Sequence, residues 1–282
     1  NFKKIKFKIF LNLLKFILKK TLKPPILFLK YQDKLFAKTS IISMKLLGRN
    51  KYPIHPKHLY DVNRNKMLIN NLEKNIKGKF LDIGSGNGTE LIRAAKLGWN
   101  AYGIENNEIS IKVFNERNKN KFFNNINIYV HNLEIIPLPI ESNSINLINF
   151  SNVLEHIKNR KNILLEIRRV LINDGKCIIS IPNKETFWKK LQRFVGIDSR
   201  DDIDHKIEYT KDELYKELSD AGLFISSKLH PIIISSPFDG LLSLTSIISP
   251  KLYQYTQALK RRIVKTNINQ SIGWVFEVKK LN

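Results

Sequence analysis

Short apolar runs alternate with longer amphipathic segments through most of the chain, and this alternation predicts an α/β sheet with helices on both faces. Runs of strand length fall at 79–84, 100–105, 126–131, 145–151 and 175–181, and segments of helical spacing at 88–97, 107–119, 160–172 and 184–195. Consecutive βα units of this kind pair their strands in parallel through right-handed crossovers. Further on, the pattern predicts a helix over 210–221 ended by Gly222, a strand over 223–230 and an apolar, serine-containing stretch over 238–248. A basic helix carrying Lys260, Arg261 and Arg262 and a last strand over 273–278 complete the chain.

The first 78 residues follow another pattern. Lys4, Lys8, Asn12, Lys15, Lys19 and Lys23 recur at steps of four and three, a single helical face, and leave Ile5, Ile9, Leu13, Phe16 and Ile17 opposite. A membrane span needs about 20 mostly apolar residues, and charges interrupt this one throughout. Two readings stay open for residues 2–23: a basic amphipathic helix lying on an anionic membrane surface, or a helix packed on the domain or lidding its active site. Pro24 and Pro25 are expected to break the helix, with a second basic helix over 26–47 ended by Gly48. Pro53 and Pro56 mark a linker in which His55 and His58 read as solvated, and 58–76 reads as a helix leading into the first strand. The expected organisation is a basic helical extension over 1–55 and an α/β domain over 56–282, with a helical insertion at 238–265 before the last strand. The segment lacks the Arg and Ser bias of a transit peptide, and a first residue other than Met carries the expectation of an upstream start.

The formal charge of +23 over 282 residues changes this picture less than its size suggests. Residues 1–78 carry +16, residues 79–238 only +2, and the remainder +5, so the α/β part is nearly neutral and the basic character lies in the additions. Lys, Asn and Ile are abundant throughout, which weakens the case for a polyanion partner. The lone cysteine, Cys177, cannot form an internal disulfide and sits in a strand pattern, which fits packing, a reducing compartment and a cytoplasmic setting. No spacing of Cys and His suggests zinc, and no metal is expected.

The chemistry concentrates in Phe80-Leu-Asp-Ile-Gly-Ser-Gly-Asn-Gly-Thr-Glu90, an apolar run followed by Gly84, Gly86 and Gly88. Residues without Cβ let the backbone bend sharply and let a ligand approach main-chain N–H groups at a helix start. The spacing is D-x-G-x-G-x-G rather than the dinucleotide G-x-G-x-x-G. The next run, Asn100 to Glu105, ends in a carboxylate suited to ribose hydroxyls, a placement that would also serve NAD.

Four ordered pieces decide between cofactors: Leu81 to Gly88; Ile104-Glu105; Ile145-Asn-Leu-Ile-Asn-Phe-Ser-Asn-Val-Leu-Glu-His156; and Glu166 to Gly175 running into Ile178-Ile-Ser-Ile-Pro182. Together they resemble the class I S-adenosylmethionine-dependent methyltransferases over about residues 60 to 230, in particular the small-molecule branch that includes ubiquinone-biosynthesis O-methyltransferases. The resemblance implies a Rossmann-like, mostly parallel seven-stranded sheet whose last two strands form an antiparallel hairpin edge. It implies that the methionine part of S-adenosylmethionine, and of the product S-adenosylhomocysteine, lies against Gly84, Ser85, Gly86 and Gly88 and near Ser151. Asp82 would support the loop or merely cap its turn, and Glu105 would accept from both ribose hydroxyls. Asn132 would meet the adenine where Asp is commoner, with Leu133 as an apolar wall.

On the acceptor side the resemblance points to His156 and His205. His156 is read as a base or as a residue that orients its loop; His205 as a base, a substrate contact or a structural hydrogen bond. Tyr209 and Trp188 line an acceptor pocket or pack in the core. Asn149-Phe-Ser-Asn152 is not the N-P-P-Y of amino-directed nucleic-acid enzymes, and Cys177 is misplaced for a carbon-5 pyrimidine enzyme. The expected activity is methyl transfer to a small or lipid-linked acceptor, at oxygen. The alternatives are an RNA methyltransferase binding phosphate through its basic termini and a non-catalytic cofactor-binding protein.

Overall fold

The computed structural model describes residues 2–49, 55–61, 64–118 and 124–281, leaving undescribed the side chains of residues 2–6, 9, 58 and 59. Pro53 and the side chain of His58 therefore lie outside the described residues. By its contacts the chain divides into two compact units, one of residues 65–183, 202–230 and 273–282, the other of residues 1–64, 184–201 and 231–272.

The first of these holds the sheet. Its strands are β1 Lys79–Ile83, β2 Asn100–Glu105, β3 Ile126–Val130, β4 Ile145–Ser151, β5 Leu171–Pro182, β6 Leu223–Ile225, the two-residue β7 His230–Pro231 and β8 Gly273–Lys280. They run in the order β3-β2-β1-β4-β5-β8-β6, with β7 also against β8. The five strands from β3 to β5 are parallel, and β8 is antiparallel to β5 and to β6. The sheet thus has eight strands rather than seven, and its antiparallel strand stands one in from the edge. β6 and β8 are too far apart in sequence for a hairpin turn. Trp274, Phe276 and Val278 alternate along β8 on one face, all buried in the main core.

Successive strand residues point to opposite faces, and both faces are covered. Phe80, Leu147 and Ile178 pack with Leu91, Ala94 and Ala95 of the helix Thr89–Lys96. Leu81, Ile83, Ile148, Phe150 and Ile179 pack with Ile163, Leu164, Ile167 and Val170 of the helix Arg160–Val170. Burial on both faces is the condition under which parallel strands read as nearly continuous apolar runs. The strand order reverses between β1 and β4, and in sheets of this type the crevice outside the carboxyl ends at that switch receives the ligand.

The other unit is helical. Its main element is one helix, Phe2–Leu46, which continues through Pro24 and Pro25 where a break was expected. Adjacent prolines remove two neighbouring donors, so the damage stays within one turn. The next turn is held by packing: Ile26 is buried with Val195 and Ile197, and Leu22, Leu27, Trp188, Leu191 and Phe194 close around them. Trp188 is thereby a packing residue. The expected helix over 58–76 is two, Pro56–Tyr60 and Lys66–Lys74. The intervening Asp61-Val-Asn-Arg-Asn65 is rich in side chains that compete for the backbone. His55 is half-buried rather than solvated, and its Nδ1 accepts from the Lys57 N–H at 3.1 Å as the cap of the first of them. The stretch 238–264 forms the helices Asp239–Ser243, Thr245–Ile248 and Pro250–Val264. Among the described residues, no helix is long and apolar enough to cross a membrane.

Candidate active site

The glycine loop leaves β1 and enters the helix Thr89–Lys96, with Gly84, Gly86 and Gly88 at φ of 72°, 53° and 70°. These are left-handed conformations that residues with a Cβ reach only at a cost. The three glycines differ in what surrounds them. A Cβ on Gly88 would lie 2.1 Å from Phe114 Cδ2 and one on Gly84 2.6 Å from Val153 Cγ2, whereas one on Gly86 would meet nothing within 4 Å. Gly88 and Gly84 are therefore needed by the protein's own packing, and Gly86 faces open space of the kind a close-lying ligand fills.

Glu105, at the end of β2, turns its carboxylate onto this loop. Oε2 accepts from the Gly86 N–H at 2.8 Å, and Oε1 from the Asn106 and Asn107 N–H groups at 2.9 and 2.8 Å. The carboxylate is thus fixed beside the open position of the loop, where a sugar with two neighbouring hydroxyls can be met by two oxygens. Ser85 is buried behind the loop, and no hydrogen-bond partner reaches its Oγ.

Asp82, in the strand before the loop, is tied to the neighbouring strand. It is 2 % exposed, and its Oδ1 accepts from Asn149 Nδ2 at 2.7 Å, while Asn149 Oδ1 accepts from Ser151 Oγ at 2.7 Å. Register places Asp82 opposite Asn149 between β1 and β4. Burial, only partly countered by the Asn149 bond, pushes the Asp82 carboxyl up from 3.8 to about 7. Ser151 is consequently oriented by a buried chain of side chains that begins in the strand leading into the glycine loop.

Asn132 is exposed beyond β3, where its Oδ1 accepts from the Glu134 N–H at 3.0 Å, and the His131 N–H is tied to Glu105 O at 3.1 Å. Leu133 is partly buried against the main core. The wall expected to meet a flat base is thus pinned to the end of β2 that carries Glu105.

The turn after β4, Leu154–His156, carries the remaining candidates. Val153 reaches Gly84, so this turn and the glycine loop are in contact. His156 and His205 meet edge to face, ring centroids 4.8 Å apart at 74°. Glu155 O accepts from the Lys206 and Ile207 N–H groups at 2.7 and 3.4 Å, which holds the segment of His205 against the turn. His205 Nδ1 lies 3.1 Å from Glu208 Oε1, both residues buried. Burial first, and the His205 ring second, hold His156 below the usual imidazole value, so it is neutral near pH 7. Tyr209 is fully buried in the core and lines no open pocket.

Sequence reasoning missed Asn149, Glu155 and Glu208. The first had a signal, since polar residues at 149 and 151 share one face at the carboxyl end of the strand. Each carboxylate lies beside one of the histidines in sequence, but only the fold brings the pair at 155 and 156 to the pair at 205 and 208. It likewise brings Glu155, His156 and His205 within metal-ligating reach, donor atoms within 4.8 Å of one another, where sequence spacing gave no reason to expect a metal.

Comparison with known proteins agrees with the geometry. A family model described as a methyltransferase domain matches residues 74–222. No match is found among curated proteins. Among solved structures, the MccD protein is 22% identical over 78% of this chain and 97% of its own, with a TM-score of 0.56. YcgJ from Bacillus subtilis is 17% identical over 77% of this chain and 95% of its own, with a TM-score of 0.51. A geranyl diphosphate C-methyltransferase from Streptomyces coelicolor A3(2), solved with Mg2+, geranyl diphosphate and S-adenosyl-L-homocysteine, is 12% identical over 80% of this chain and 82% of its own, TM-score 0.54. At these identities the likeness concerns the fold.

Proposed function

The chain belongs to the methyltransferase-domain family as a class I S-adenosylmethionine-dependent enzyme, and from that premise we propose that it methylates an oxygen of a small or lipid-linked acceptor. The observation that carries the cofactor assignment is the open left-handed Gly86 with the Glu105 carboxylate 2.8 Å from its N–H. Glu105 binds the ribose hydroxyls, Gly84 to Gly88 carry the methionine part, Ser151 contacts it, and Asn132 and Leu133 flank the adenine. When bound, S-adenosylmethionine supplies a methyl carbon made electrophilic by its sulfonium, open to in-line displacement. The protein's share is positioning and proton transfer. His156, neutral near pH 7 and next to the cofactor loop through Val153, accepts the acceptor's hydroxyl proton, and His205 orients its ring by edge-to-face contact.

A lipid-linked acceptor gives the N-terminal helix a purpose. Phe7, Phe10, Leu13, Phe16 and Ile17 are each more than half exposed on a helix that also carries lysines along its length. Such a surface suits an anionic bilayer, each Lys near it contributing about 1 kcal/mol.

The test is transfer of tritiated methyl from S-adenosylmethionine into a host extract that is then separated into organic, RNA, protein and small polar fractions. Label in the organic or small polar fraction is expected. Label in RNA would overturn the acceptor class and turn the +16 segment into a phosphate-binding arm. Cofactor binding without label anywhere would leave a binding protein.

A further inference from the structure

Two imidazoles and a carboxylate converge on the side of the turn after β4, and the manner of their support suits a ligand more than a packing cluster. We propose that Glu155, His156 and His205 hold a divalent first-row transition cation. Given the methyl-transfer reading above, that cation acts as the Lewis acid for the acceptor hydroxyl. Binding itself does not depend on that reading.

The donor atoms already lie within 4.8 Å of one another. Ligands about 2.1 Å from a common ion stand roughly 3–4 Å apart, so small side-chain rotations complete the site. The two rings, 74° apart in plane, approach a shared centre from different directions. The scaffold is fixed by backbone: Lys206 and Ile207 N–H groups donate to Glu155 O, so the three ligands move as one piece. Behind His205, Glu208 sits 3.1 Å from Nδ1. A carboxylate there fixes the Nδ1–H tautomer, turns the Nε2 lone pair toward an ion and raises its basicity, the support that metal-bound histidines commonly have. Glu155, Glu208 and His205 are at most 7 % exposed, so two carboxylates are withdrawn from water around these rings. A cation stabilises that arrangement.

The donor set selects the ion. Two nitrogens and one oxygen suit zinc, cobalt, iron or manganese, whereas magnesium and calcium take oxygen ligands. Three protein ligands leave positions open for water or for an acceptor oxygen, whose pKa the ion lowers. A ligating imidazole has no lone pair left for a proton, so in the loaded site the proton that His156 takes in the metal-free enzyme goes to water instead. The freed oxygen pair forms the C–O bond as the C–S bond breaks, its electrons remaining on sulfur.

The full chain, stripped with a chelator, is titrated with Co2+ alone and followed by its visible d–d absorption and by calorimetry; S-adenosylhomocysteine affinity is measured separately. One Co2+ per chain with a Kd below about 10 µM is expected, displaced by Zn2+ and indifferent to excess Mg2+. Glu155→Gln, His156→Asn and His205→Asn should each weaken it at least about tenfold, and Glu208→Gln about tenfold with the absorption band kept. His156 is only half-buried, so its variant serves if the buried ones unfold. Absence of stoichiometric Co2+ binding by a wild-type chain that binds S-adenosylhomocysteine would overturn the metal site and leave the methyl-transfer reading standing. Equal Co2+ affinity in all folded variants would also overturn it. Co2+ binding with the expected variant pattern but no S-adenosylhomocysteine binding would uphold the site and remove the cofactor reading instead.

Discussion

Asp82→Asn should flatten a specific part of the pH dependence of stability. Burial moves the carboxyl from 3.8 to about 7 in the folded chain, the Asn149 bond opposing the shift and the Glu90 and Glu105 charges adding to it. Between these values the folded chain holds a proton that the unfolded chain has released, so stability falls as pH rises through the window and levels off above about 7. At about 1.4 kcal/mol per unit the full cost is about 4 kcal/mol, of which about 3 kcal/mol falls between about pH 5 and pH 8. Asparagine has the same shape and no charge, and its oxygen can still accept from Asn149 Nδ2. The variant should exceed the parent by about 1.5 kcal/mol at about pH 5 and by about 4 kcal/mol at about pH 8, measured by urea unfolding without cofactor. Parallel pH curves for the two proteins would refute the reasoning, since they would require Asp82 to ionise with the same pKa folded and unfolded.

Glu105→Ala removes the acceptor of three backbone N–H groups and the partner assigned to the ribose, and should weaken S-adenosylhomocysteine about 100-fold by calorimetry; unchanged affinity in a folded variant would take Glu105 out of the site. Gly86→Ala should cost only about 1 kcal/mol of stability for its left-handed φ while abolishing cofactor binding. Gly88→Ala should cost more than about 3 kcal/mol because its Cβ meets Phe114 at 2.1 Å, and equal melting temperatures for the two would contradict the distinction. Deleting residues 1–23 should reduce co-sedimentation with anionic liposomes and spare S-adenosylhomocysteine binding; loss of the fold would instead make the helix part of the core.

What the sequence made legible was what is local. Gly84, Gly86, Gly88 and Glu105 announce themselves because each lies at the end of one strand, and strand, turn and helix start follow one another within a few residues. The partnership of Asp82 with Asn149 depends on the register of two strands that are neighbours only in space, so the sequence offered Asp82 loop support or turn capping and gave no sign of this bond. The meeting of His156 and His205 with Glu155 and Glu208 likewise needs the return of the chain after β5. Pro24 and Pro25 misled for the opposite reason: local propensity was read correctly and was outweighed by the burial of Ile26. His55 read as solvated because a side chain that caps the very next helix leaves no periodic trace.

Between residues 7 and 20 the helix Phe2–Leu46 carries phenylalanines and lysines side by side in solvent. Its colloidal behaviour is therefore set by ionic strength. In dilute buffer the ammonium groups keep such arms apart; at about 0.1 M salt the Debye length shrinks to about 10 Å, repulsion between arms fades and apolar contact is left unopposed. Added salt, which usually helps a basic protein stay dispersed, would here draw copies together, and a column profile would report the buffer as much as the molecule.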